Sequence, residues 1–260
     1  MKKNSLAFIL PFLVLLGCQG PTSSVNTRTD SKATVYTKQD KKAAKLNMQL
    51  GVNYMQRGDY ATALGKLEKA LKQDPNLASG HNTIAILYQR LSEFDKAEYH
   101  FQRAVSLEPT YSEAHNNYGA YLCGQGRYEE SVSHFLAAVK NPLYSSAGQA
   151  YENAGLCANR IPDFLLAEQY LRKALQIDPR LGKSLLAMAQ MSFQQGDYLV
   201  SRAYLKRYRN AARWTPQALL QAIKTEQKIG DKNAVSSYSL LLRGRFPDSE
   251  ESKQVQSGQL

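Results

Sequence analysis

Along most of the chain, apolar and small residues recur with a helical period, and the pattern itself repeats. Gly58-Asp59-Tyr60, Ser92-Glu93-Phe94, Gly126-Arg127-Tyr128, Pro162-Asp163-Phe164, Gly196-Asp197-Tyr198 and Gly230-Asp231-Lys232 stand at one phase, 34 residues apart with one interval of 36. Before each of the first five turns a small residue sits beside a larger apolar one, as in Leu50-Gly51, Ile84-Ala85, Tyr118-Gly119, Ala154-Gly155 and Met188-Ala189. After the turn, a small residue is followed by a large apolar one and then by alanine, as in Ala63, Leu67, Ala70 and Ala97, Phe101, Ala104. Those offsets put all three side chains on one helical face. Pro75, Pro109, Pro179 and Pro247 close units at a common phase, where a proline ends one helix and cannot carry it into the next. The pattern predicts helix, turn, helix and stop, over and over.

This pattern resembles the tetratricopeptide repeat. Its signature positions are held by Gly51, Tyr54, Ala63, Leu67, Ala70 and Pro75 in the first unit, and by Ala85, Tyr88, Ala97, Phe101, Ala104 and Pro109 in the second. Units fall at 44–77, 78–111, 112–147, 148–181, 182–215 and 216–249. Pro142 comes one position early and two extra residues follow it, which predicts an altered turn into the fourth unit. The fifth unit has Ser192 where an aromatic is usual. The sixth, with Ile223, Glu226 and Lys232 at signature positions, reads as a degenerate terminal repeat with a more polar face. The resemblance implies an all-α fold, a right-handed superhelical solenoid whose stacked first helices line a concave groove. An irregular helical bundle is the alternative.

The groove is where a partner is expected. Met48, Val52 and Met55 lie at i, i+4 and i+7 on the first helix, on the face such grooves present to ligands. The corresponding face of the second unit is Asn82, Ile86 and Gln89, and that of the third is Asn116, Ala120 and Cys123, so the groove is expected to grow more polar along the stack. Repeat domains that grip a terminal carboxylate use a Lys and Asn clamp, and Met48 and Val52 stand where it would be. An apolar segment or amphipathic helix is the expected ligand. The alternative is that the methionines pack beneath neighbouring helices.

The two ends differ from this pattern. Lys2 and Lys3 precede an apolar run from Leu6 to Leu16 that is too short to span a bilayer, and Leu15-Leu16-Gly17-Cys18 closes it. That ending resembles the bacterial lipobox, which implies a signal peptide over 1–17 and a covalent lipid on Cys18; an ordinary signal with an incidental cysteine is the alternative. Several acyl chains would anchor the protein stably. Gln19, in place of the Asp of inner-membrane retention, implies the outer membrane, with the protein facing the periplasm. Residues 18–43 are polar and read as a lipidated flexible tether, and about 24 residues of coil would span roughly 25–30 Å. Residues 250–260 read as a polar tail.

Charge and candidate chemistry narrow the function. The formal net charge is +11, or +9 without Lys2 and Lys3. In an exported protein this suits anionic lipid, cell-wall polymer or an acidic protein better than nucleic acid. The densest basic run is Arg202, Lys206, Arg207, Arg209 and Arg213, which reads as a solvated helix face or as a docking site. With Cys18 assigned to lipid, Cys123 and Cys157 remain on the first helices of adjacent units, placed to form a disulfide; two buried thiols are the alternative. His81 and His115 share one phase, and His100 and His134 another, so repetition explains all four without a metal. The tyrosines also fall mostly on repeat phases, as packing residues. No catalytic constellation or phosphate-cradling loop stands out, and neither an enzyme, a cofactor nor a small-molecule substrate is expected.

Lipobox, tether, repeats, cysteine pair and the Gly-Arg-Tyr-Glu-Glu stretch at 126–130 together resemble the PilF/PilW-type lipoproteins of type IV pilus biogenesis. The resemblance implies a pilotin: an outer-membrane lipoprotein, monomeric when unbound, that binds the pilus secretin subunit and promotes its localisation and multimerisation. Pili and twitching motility would depend on it. The alternative roles are a scaffold for barrel-protein assembly and an activator of a cell-wall synthase.

Overall fold

The computed structural model describes residues 37–161 and 164–258. The expected signal peptide, Cys18 and the tether up to residue 36 lie outside the described residues, as do Pro162 and Asp163. Thirteen α-helices and no strand occur among the described residues. Six pairs follow in order: α1 (Lys38–Gln56) with α2 (Tyr60–Gln73), α3 (Ala78–Arg90) with α4 (Phe94–Leu107), and α5 (Ser112–Gly124) with α6 (Tyr128–Ala138). Then come α7 (Ala147–Ala158) with α8 (Phe164–Ile177), α9 (Gly182–Gln194) with α10 (Tyr198–Ala211), and α11 (Pro216–Ile229) with α12 (Lys232–Arg245). A short α13 (Glu250–Gln256) ends the stack. Each inner first helix touches its own second helix, the preceding second helix and the first helices on either side, which is the arrangement of a tetratricopeptide solenoid.

The small residues permit the close approach within each pair. A Cβ on Gly51 would lie 2.6 Å from Leu67 Cγ, and one on Gly155 would lie 2.7 Å from Leu171 Cγ, so only glycine lets those helices meet at this distance. Ala63, Leu67, Ala70, Ala97, Phe101 and Ala104 are fully buried, as their one-face spacing predicts. At the turns Gly58, Gly126, Gly196 and Gly230 adopt left-handed φ, and Ser92 takes the same conformation at the equivalent position of the second repeat (φ 61°).

The edges of the solenoid depart from expectation. Helix α1 starts at Lys38, inside the stretch assigned to the tether, because Thr37 and Asp40 form a reciprocal capping box that nucleates it early. At the other end, residues 250–256 are helix rather than polar tail. Ser249 caps α13, and Val255 packs on the cluster of Leu219, Ile223 and Leu242. Glu226 does not mark a polar outer face either: it is buried and holds the Arg202 guanidinium of α10, which also meets Asp231 at 3.3 Å. Between the third and fourth repeats α6 stops at Ala138, and turns carry the chain to Ala147.

Candidate partner-binding groove

The outward faces of α1, α3, α5, α7, α9 and α11 form the candidate groove. Met48 and Val52 are half-buried on α1, and Ile86 is half-buried on α3, where Met48 and Ile86 lean on the core of the first two repeats. At the phase of Val52 and Ile86, Ala120 on α5 and Leu156 on α7 extend an apolar stripe. The next two positions of that phase are Gln190 and Lys224, so the stripe ends after the fourth repeat. Gln89 is half-buried near the end of α3.

Two expected groove residues are not available to a ligand. Met55 is only 7% exposed and belongs to the core shared with Leu67, Ile84 and Tyr88, because the second repeat packs over that end of α1. Asn82, 5% exposed, is held inside the stack: its Oδ1 accepts from Asn117 Nδ2 at 3.2 Å. One repeat later, Asn116 Oδ1 accepts from Asn153 Nδ2 at 3.2 Å. One further on, the buried Glu152 carboxylate accepts from the Ser184 backbone N–H at 2.9 Å and from its hydroxyl at 2.8 Å. These bonds form a ladder between successive first helices from α3 to α9. Asn82 and Asn116 are therefore tied into repeat stacking, while Gln89 stays half-open beside the apolar stripe.

Cys123 and Cys157 are joined in a disulfide with their Cα atoms 6.0 Å apart, linking α5 to α7 across the long junction. The disulfide, Ala120, Leu156 and Asn153 wall a cavity of ≈ 530 Å³ that includes Arg160.

The histidines form two equivalent pairs. His81 Nε2 lies 3.0 Å from the Pro75 carbonyl and must carry the proton there, so its Nδ1 accepts from His100 Nδ1 at 2.8 Å. His115 repeats this with Pro109 (3.1 Å) and His134 (2.9 Å). Burial, then the partner imidazole, pushes His100 and His134 down to about 4. Burial also lowers His81 and His115. These neutral rings pin first helix to second helix. No group of three or more metal-ligating side chains occurs among the described residues.

The basic run is divided by the structure. Arg202 is occupied by Glu226 and Asp231, whereas Lys206, Arg207, Arg209 and Arg213 are exposed without a carboxylate partner among the described residues. Sequence reasoning missed the polar ladder, although adjacent polar pairs on an otherwise apolar face, Asn116-Asn117 and Glu152-Asn153, were its visible signal.

Models of the TPR repeat and the tetratricopeptide repeat match residues 51–92, 100–132 and 121–181. The type IV pilus assembly protein PilF of Pseudomonas aeruginosa (strain PAO1) is 28% identical over 122 residues, 47% of this chain and 48% of that protein, so the match spans about half of that relative. A solved structure of Pseudomonas aeruginosa PilF superimposes with a TM-score of 0.78 at 28% identity, covering 85% of this chain and 100% of the other. The structure of PilW, described as a widely conserved type IV pilus biogenesis factor, superimposes at 0.74 with 32% identity, covering 82% of this chain and 98% of the other.

Proposed function

The chain belongs to the PilF/PilW-type family of tetratricopeptide proteins of type IV pilus biogenesis, and on that premise we propose that it is a pilotin, an outer-membrane lipoprotein that binds the pilus secretin. The observation that carries this reading is the half-open apolar stripe of Met48, Val52, Ile86, Ala120 and Leu156, beside which Asn82 and Asn116 bond to the asparagines of the next repeats. A stripe of that kind accepts an amphipathic helix or an apolar extended segment, whose side chains supply the binding energy that a polar groove could not. Cys18 would supply the address: its acyl chains hold the protein at the outer membrane, and the groove carries the secretin subunit there. No bond is made or broken in this scheme.

The test is capture from detergent-solubilised envelope, comparing the parent with Met48→Asp/Val52→Asp. Met55 is left intact because its burial would turn that substitution into a folding defect. Secretin recovered by the parent and lost by the variant, with unchanged circular dichroism, is the expected outcome. Recovery of barrel-assembly proteins or a cell-wall synthase in place of secretin would overturn the pilotin reading and name its replacement. Palmitate labelling abolished by Cys18→Ser checks the anchor.

A further inference from the structure

We propose that the exposed edge formed by the first turns of α8 and α10, in the fourth and fifth repeats, docks onto an anionic lipid surface. This goes beyond the pilotin reading and uses a different face from the groove. The second residue of each second helix is exposed in all six repeats: Ala61, Asp95, Glu129, Leu165, Leu199 and Asn233. Acidic residues suit this place because the first turn of a helix carries partial positive charge. In the fourth and fifth repeats leucines stand there instead, 78% and 69% exposed, flanked by the exposed Phe164 and Val200. Neither leucine contributes to the core, so packing does not explain them. Leu199 and Val200 also wall a cavity of ≈ 540 Å³ with Tyr198 and Ile229.

Cations follow on the same helical faces. Seven and eight residues beyond Leu199 come Lys206 and Arg207, exposed and without a carboxylate partner among the described residues. Seven residues beyond Leu165 comes Arg172, which pairs with Glu168 and lines one pocket with Arg207 of α10, so the cations of the two faces are neighbours. At 1.5 Å of rise per residue the cations stand about 10–12 Å behind the leucines. Interfacial anchors have these proportions, with apolar groups entering by about 5–10 Å and cations remaining among the headgroups. The net charge of +11 disfavours a second copy as the occupant and favours an anionic one. Docking at this edge would fix which way the groove faces the bilayer.

The full chain carrying Cys18→Ser is to be sedimented with vesicles of phosphatidylcholine alone and of phosphatidylcholine mixed with phosphatidylglycerol. Binding is expected to the second kind and to weaken with salt. Leu165→Asp/Leu199→Asp should lower the partition at least about tenfold. Lys206→Glu/Arg207→Glu should do so by about tenfold or more. All versions share the apolar N-terminal run, so differences between them belong to the edge, and unchanged circular dichroism shows that the fold survives. As a second measurement, Leu199→Trp should add fluorescence quenched by brominated lipid beyond that of Trp214. Equal partition of all versions, or no added quenching, overturns the proposal. So does vesicle binding lost by Met48→Asp/Val52→Asp but kept by the edge variants, which would make the groove the lipid-facing surface. Edge variants that keep vesicle binding and lose an envelope protein would make the edge a protein-docking site, and the lipid assignment would fall.

Discussion

Acidification should loosen the second and third repeats before the others. Each contains one imidazole pair in which His81 or His115 accepts and must be neutral, while burial keeps the donor ring, His100 or His134, neutral as well. An unfolded chain protonates its histidines as pH falls through about 6.5. The folded chain holds His100 and His134 at about 4. Between those values the unfolded chain binds more protons, so stability falls as pH falls across that window and is unaffected above it. The gap is worth about 3 kcal/mol per ring at full weight, and solvent contact of the rings reduces this to about half. Down to pH about 5, the two rings together should therefore cost about 2 kcal/mol, roughly a thirtyfold rise in local opening. Other charges face the pairs: Asp74 and Arg103 near His81, Lys140 near His115, Glu130 and Arg127 near His134. Glu130 is held below the usual carboxylate range by Arg127, so its titration lies beneath the window.

Hydrogen exchange at pH about 7 and about 5, corrected for intrinsic rates, reads the effect by segment. Protection should fall in α3 to α6 more than in α9 to α12. The variant His100→Gln/His134→Gln keeps an N–H donor for each partner ring and removes two of the titrating groups, so the excess loss should shrink. Equal loss along the whole solenoid, or an unchanged excess in the variant, would refute the argument.

Three further perturbations follow from the packing. Ser92→Gly relieves a left-handed conformation that costs a side chain about 1–2 kcal/mol, less the entropy of an added glycine, so the denaturation midpoint should rise by the equivalent of about 0.5–1 kcal/mol. No rise would mean that the serine is not strained. Glu152→Ala leaves a buried N–H and a hydroxyl of Ser184 without their acceptor and should cost about 2–3 kcal/mol, visible as exchange localised to α7 and α9. Cys123→Ala/Cys157→Ala opens a loop of 34 residues and should lower stability by about 4 kcal/mol in denaturant titrations, and reduction of the parent should reproduce that loss.

The repeat core was legible in the sequence because the same physical demand recurs at one phase. Gly51, Gly119 and Gly155 each sit where a second helix leaves no room for a Cβ, and Leu67, Phe101, Phe135 and Leu171 are the residues that press against that face. A search at period 34 sees such positions directly. It does not see contacts between unlike phases. Asn82 meets Asn117 at a separation of 35, Asn116 meets Asn153 at 37, Glu152 meets Ser184 at 32 and Arg202 meets Glu226 at 24. The polar ladder and the buried ion pair escape a one-period comparison for this reason, and so Asn82 and Arg202 read as open surface when they are interior links.

Departures from the repeat carry a different kind of information. A core phase is uniform because every repeat must bury it; an exposed phase is free to vary, and packing gives it no reason to become apolar. Val52, Ile86, Ala120 and Leu156 stay apolar through four repeats on half-open or open ground and then give way to Gln190 and Lys224, which separates a ligand-facing stripe from a packing requirement. Leu165 and Leu199 do the converse, turning apolar in two neighbouring repeats where two others place Asp95 and Glu129. Within a solenoid, stability is the property shared by the repeats, and the surfaces that distinguish one repeat from the next are where partners act. The groove and the edge are both departures of that kind, and they lie in different parts of the stack, so variants of one should leave the binding function of the other intact.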